Sequence, residues 1–136
     1  GGAAASRLAS AALPPLLRTS PRWPSAPLSA CLFALAYHAQ PHLTDANVLH
    51  ALLRRALAEM RSRHTADRIE SLKLLGLVLS CGGDAAVWGA SPDSAIAAAV
   101  QQLRGLAAID ESEDVRALAH KIANVAFGDG AELALS

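Results

Sequence analysis

At 136 residues the chain fits one domain, large enough to bury a core without disulfides or metals. Its 31 Ala and 22 Leu stand against ten Val or Ile and five aromatic residues, which argues against a sheet-built fold: Ala and Leu lose little freedom in a helix, whereas strands draw on β-branched and aromatic side chains. The net charge of zero hides a split, because residues 1–68 hold eight Arg against three acids and residues 69–136 hold nine acids against four Lys or Arg.

In chain order, "ASRLASAALPPLLRT" reads as a first helix interrupted near Pro14 and Pro15, since proline lacks the helical N–H and clashes with the preceding turn. "SPRWPSAP" reads as a loop and "LSACLFALAYHAQ" as a second helix, ended by Pro41. Thr44 or Asp45 then caps "ANVLHALLRRALAEMRS", where Leu49, Leu52, Leu53, Ala56, Leu57 and Met60 share a face. Thr65 opens "ADRIESLKLLGLVLS", stopped by the glycines after Cys81. That helix is apolar almost all round, so it has to be covered on several sides. Ser91 and Pro92 start "SAIAAAVQQLRGLAAI". The acids at 110–114 then lead into "VRALAHKIANVAF", closed by Gly128, with Val115, Leu118, Ala119, Ile122, Val125 and Ala126 on one stripe.

These helices alternate with short connections and group into pairs. Apolar positions recur at an offset of 46 residues: Ile69, Leu72, Gly76 and Leu79 precede Val115, Leu118, Ile122 and Val125 by that distance. A period of about 40–47 residues belongs to two-helix repeats. The fold expected is all-α, with stacked antiparallel helix pairs over the single domain 1–136. Its units span about 3–41, 44–83 and 91–128, with a tail at 129–136.

"AAIDESEDVRALAHKIANVAFG" resembles the turn and second helix of a HEAT repeat, where an acidic turn leads into an aliphatic residue followed by Arg, here Asp114, Val115 and Arg116. "AALPPLLRT" is similar to the Pro-containing first helix of such repeats. The middle unit departs from this pattern, with the basic turn "RSRHTADRIE" and Glu70 in place of the Arg. The resemblance, which extends to armadillo-like α-solenoids, implies a scaffold that binds macromolecules along an extended surface. It does not choose the partner.

Candidate chemistry is sparse. Acids at the start of a helix are favoured by the unpaired N–H groups there, so Asp110, Glu111, Glu113 and Asp114 read as helix-start residues; the alternation and central glycine of a calcium loop are missing. His38 and His42 lie four apart without the glutamate of a zinc-hydrolase motif, and the glycines of "CGGDAAVWGASP" lack a phosphate-loop lysine. No serine lies in a nucleophile-elbow context. No catalytic, cofactor or metal residue is therefore assigned. Arg54, Arg55, Arg61, Arg63 and Arg68 form the one cluster suited to an anionic partner, against the reading of a solvated flank paired with Glu59 and Asp67. Trp23 and Trp88 read as loop residues packed over helix ends.

The function expected is a non-catalytic scaffold or adaptor that binds proteins or neighbouring repeats. The rival is an RNA-binding repeat protein using the arginines of the middle unit. Cys31 and Cys81 read as buried free thiols of a reducing compartment, cytoplasmic or nuclear. The acid-free residues 1–44, with three Arg, have the composition of an organellar transit segment. The opening "GGAAASRLASAAL" is a poor polar cap for a repeat stack, so self-association is expected.

Overall fold

The structure, a computed structural model, describes residues 2–19, 26–40, 46–82 and 95–127. Among these the chain is all-helical: α1 (Gly2–Thr19), α2 (Ala26–Ala39), α3 (Ala46–Glu59), α4 (Thr65–Gly82), α5 (Ala95–Ile109) and α6 (Glu113–Phe127). No helix among the described residues is long and apolar enough to cross a membrane. The expected caps at Thr44, Asp45 and Ser91, the loop around Trp88, and Trp23, His42 and the stop at Gly128 lie outside the described residues.

Three helices pack on their successors, α1 on α2, α3 on α4 and α5 on α6. Contacts also run between these pairs: α4 touches both α2 and α6, and α3 touches both α1 and α5. α4 is thus covered by three helices, which explains why "LKLLGLVL" is apolar on most of its circumference. Leu72, Leu74, Leu75 and Val78 are fully buried there, while Lys73 turns outward to Glu70 at 3.3 Å.

One apolar cluster draws on all six helices, from Ala9 and Leu13 through Leu32, Leu49 and Leu103 to Val115, Ala119 and Ile122. Each fully buried leucine contributes roughly 1.5–3 kcal/mol. A buried ion pair is close to neutral against an apolar pair of equal volume. The leucines therefore hold the fold together, and the charged groups described below act on register.

Two local outcomes differ from the sequence expectation. α1 runs through Pro14 and Pro15 without ending. The two prolines deprive the carbonyls of Ser10 and Ala11 of their helical donors, but Ala11 and Pro15 are exposed to water. Buried Ala9 and Leu13, with Leu16 and Leu17 against the core, anchor the helix on both sides of the pair. α2 starts at Ala26, so Pro27 stands in its first turn, where a missing N–H costs nothing.

Candidate interaction edge along the inter-helix turns

The turn between α3 and α4 (residues 60–64) and the turn between α5 and α6 (residues 110–112) are built alike. In the first, the Ser62 hydroxyl accepts the His64 N–H at 3.1 Å; in the second, the Asp110 carboxylate accepts the Ser112 N–H at 2.9 Å. Arg68 Nη1 donates to the carbonyl of Ser62 at 3.0 Å, and Arg116 Nη1 donates to the carbonyl of Asp110. Ser62 and Asp110, His64 and Ser112, and Arg68 and Arg116 are each 48 residues apart. The turns therefore superpose at 48, two residues beyond the offset read from apolar spacing. Arg68, not Glu70, occupies the place of Arg116 in the turn.

The helix ends explain the discrepancy. α3 and α5 end 50 residues apart, at Glu59 and Ile109, while α4 and α6 start 48 apart, at Thr65 and Glu113. The second turn is two residues shorter, so a single offset cannot hold for both helices of a pair.

Arg68 then reaches the turn between α5 and α6. Its Nη2 donates to Asp110 Oδ1 at 3.1 Å, and its Nε lies 2.9 Å from Oδ2, an ion-pair contact rather than an aligned hydrogen bond. Nη1 also donates to the Arg63 carbonyl at 3.0 Å. Both side chains are buried. Asp110 thus joins the two turns, a role beyond that of a helix-start acid. The cap of α6 is Ser112, whose hydroxyl accepts the Val115 N–H at 3.3 Å, with Glu113 and Asp114 exposed in the first turn. Glu111 is 83% exposed, 3.7 Å from Arg68. Asp67 is buried and accepts the Ser62 hydroxyl at 2.7 Å.

A second buried carboxylate ties α2 to α3. Glu59 is 0% exposed; it accepts the Ser29 hydroxyl from α2 and, at 3.1 Å, Arg55 Nη2 from its own helix. Sequence reading missed this link. The signal was present in part: Glu59 falls three residues after Ala56 on the stripe of Leu49, Leu52 and Leu53, so a carboxylate at core spacing asks for a buried donor. Its partner 30 residues earlier could not be read from spacing.

The five arginines therefore separate. Arg55 and Arg68 are committed inside, to Glu59 and Asp110. Arg54, Arg61 and Arg63 are exposed, as is His64. Arg61 flanks an open recess of about 590 Å³ with Met60, Gln102, Leu106 and Ile109. With its amide oxygen turned toward Arg61, Gln102 accepts Nε and Nη2 at 3.2 Å.

His38 and His120 are exposed and His50 is half-buried. Among the described residues no three His, Cys, Asp or Glu side chains are grouped as metal ligands. Cys31 is a free thiol, exposed rather than buried as expected, because it lies on the side of α2 turned away from Leu32 and Ala36. The Cys81 side chain lies outside the described residues.

Set against protein-family models, curated proteins and solved structures, the chain matches none of them.

Proposed function

We propose that this chain is a non-catalytic helical-repeat scaffold, a stack of three antiparallel helix pairs of the HEAT or armadillo type, which binds other proteins. The observation that supports this most directly is the repeated turn. The same arginine-to-carbonyl hydrogen bond recurs 48 residues apart, and from the first of the two sites the arginine extends to a carboxylate of the following unit. A unit that builds its neighbour's contact from its own turn is suited to a linear array, and linear arrays bind macromolecules along an extended surface. A free thiol at Cys31 fits a reducing, cytoplasmic or nuclear setting, with an organellar one as the alternative.

The test is capture of partners by the tagged chain from cells of its source after nuclease treatment, followed by reconstitution with purified components. The expected result is a protein that binds with defined stoichiometry and is lost when exposed edge residues are changed. Failure to reconstitute any protein complex, or measurable turnover by the purified chain, overturns the proposal.

One observation favours the second reading, an RNA-binding repeat: Arg54, Arg61 and Arg63 are solvent-facing on and beside the middle turn. RNA affinity that falls steeply with salt, and that the combined Arg54→Ala, Arg61→Ala and Arg63→Ala changes abolish, would select it. No effect of that triple change removes it.

A further inference from the structure

Among the described residues the exposed large hydrophobic side chains are Leu8 at 73%, Tyr37 at 58% and Ile109 at 84%. They stand on α1, α2 and the end of α5, and none belongs to α3 or α4. The surroundings of two of them are alike. The exposed positions of α1 near Leu8 include Ala4, Ala11 and Ala12, and those of α5 include Ala98, Gly105 and Ala108. A Cβ added at Gly105 meets no atom within 4 Å. Both outer helices thus offer small apolar faces on which another helix can approach closely, because interhelical distance is set by the side chains at the contact.

Charge orders these two ends. The Ser29 hydroxyl, in the first turn of α2, reaches Glu59 at the end of α3, and Arg68 at the start of α4 reaches Asp110 after α5. These two bonds set the start of α2, the turn between α3 and α4 and the turn between α5 and α6 along one edge. Exposed charges on that edge run from Arg18 in the last turn of α1, through Arg61 and Arg63, to Glu111, Glu113 and Asp114. The sign reverses from one end to the other, and residues 1–44 contain no acid.

We propose that a second copy of this chain docks head to tail, its α1 and α2 against α5 and α6 of the first. This rests on the stacked-pair reading above and extends its contacts, α1 with α3 and α3 with α5, by one further step. Arg18 of the incoming copy meets Glu113 and Asp114, and the Leu8 face of its α1 lies over the Ala98, Gly105 and Ala108 face of α5. Symmetric pairing is disfavoured at both ends. Two α1 ends would bring Arg7 and Arg18 against their own copies, and two α6 ends would do the same to the acids. A head-to-tail contact does not close on itself, so assembly continues beyond the dimer.

Sedimentation and light scattering of the full chain test this. The average mass is expected to rise with concentration past that of a dimer. Raising salt from about 0.1 M to about 1 M, which shortens the screening length from about 10 Å to about 3 Å, should weaken association about tenfold or more. Arg18→Glu and the pair Glu113→Lys with Asp114→Lys each remain folded by circular dichroism and each lose association about tenfold. Mixed together, the two variants associate again and grow past the dimer in alternation, since the two unchanged ends fit each other and so do the two reversed ends.

A wild-type monomer at all concentrations, a mass that stops at the dimer, or variants that associate like wild type each overturn the proposal. The coupling between Arg68 and Asp110, measured by a double-mutant cycle on the same samples, separates the failures. A monomer that keeps the coupling overturns self-association alone; loss of the coupling overturns the stacked-pair reading beneath it.

Discussion

The junction of α2 with α3 and the junction of α4 with the turn before α6 both bury a carboxylate, and they satisfy it differently. Glu59 sits on the helix itself, fully buried, and takes one neutral donor from α2, Ser29, while its counter-charge Arg55 comes from its own helix. Asp110 sits in the turn and takes its counter-charge from α4, Arg68, while its own backbone neighbour Ser112 supplies the neutral donor. At the first junction the charge pair is local and the hydrogen bond is long-range; at the second these are exchanged. A carboxylate bonded across a junction by a neutral hydroxyl gains less than one bonded there by a guanidinium, where donor and acceptor are both charged. The second junction is therefore more sensitive to loss of a single partner, and the first tolerates slippage of α1 and α2 better.

The largest expected effect comes from Asp110→Ala. It strands the buried Arg68 guanidinium and frees the Ser112 N–H, and removal of one partner of a buried pair costs about 3–5 kcal/mol. Denaturant unfolding measures the loss, and hydrogen exchange should locate it in α5 and α6. Changing both Arg68→Met and Asp110→Leu recovers most of the stability, because neither charge is then left alone. A double variant as unstable as Asp110→Ala would show that the pair contributes more than relief of its own burial.

Ser29→Ala should do less, about 1–2 kcal/mol, since Glu59 loses one neutral donor and keeps Arg55. Its increase in exchange should appear in α1 and α2. Equal losses at Ser29→Ala and Asp110→Ala would erase the distinction between the junctions.

Both junctions also mark where sequence reading stops. The stripe of Leu49, Leu52, Leu53, Ala56, Leu57 and Met60 was legible because helical periodicity is local; Leu57 is half-buried against the core and the others are buried. The apolar circumference of α4 was legible for the same reason, and three helices cover it. The Arg68–Asp110 pair spans 42 residues, and no local period connects them. The 46-residue offset rests on matching apolar positions, which recur at several registers in a chain rich in Ala and Leu; the turn hydrogen bonds, which tolerate only one register, give 48. Continuation of α1 through Pro14 and Pro15 was hidden because it depends on packing of Leu13 against the rest of the core, which outweighs the local preference. The arginine cluster was visible as composition, yet Arg55 and Arg68 differ from Arg54, Arg61 and Arg63 through partners supplied by the fold.

The smallest effect concerns the contact of α4 with α6. A Cβ at Gly76 would stand 3.4 Å from Ile122 Cγ1 and 3.6 Å from its Cδ1, whereas one at Gly105 meets open space. Gly→Ala in a helix interior gains about 0.5–1 kcal/mol from the reduced freedom of the unfolded chain. Gly105→Ala should show that gain in full. Gly76→Ala should show it modified by the Ile122 contact, which is ordinary van der Waals distance and so does not reverse the sign. Combining each with Ile122→Val separates the two sites, since trimming Cδ1 changes the surroundings of position 76 and leaves those of position 105 alone. Coupling of a few tenths of a kcal/mol is expected for 76 with 122 and none for 105 with 122. Equal coupling at both positions would mean that α6 does not lie against α4 at Gly76, and the second junction would then have to be held by Arg68 and Asp110 without the close helix contact beside them.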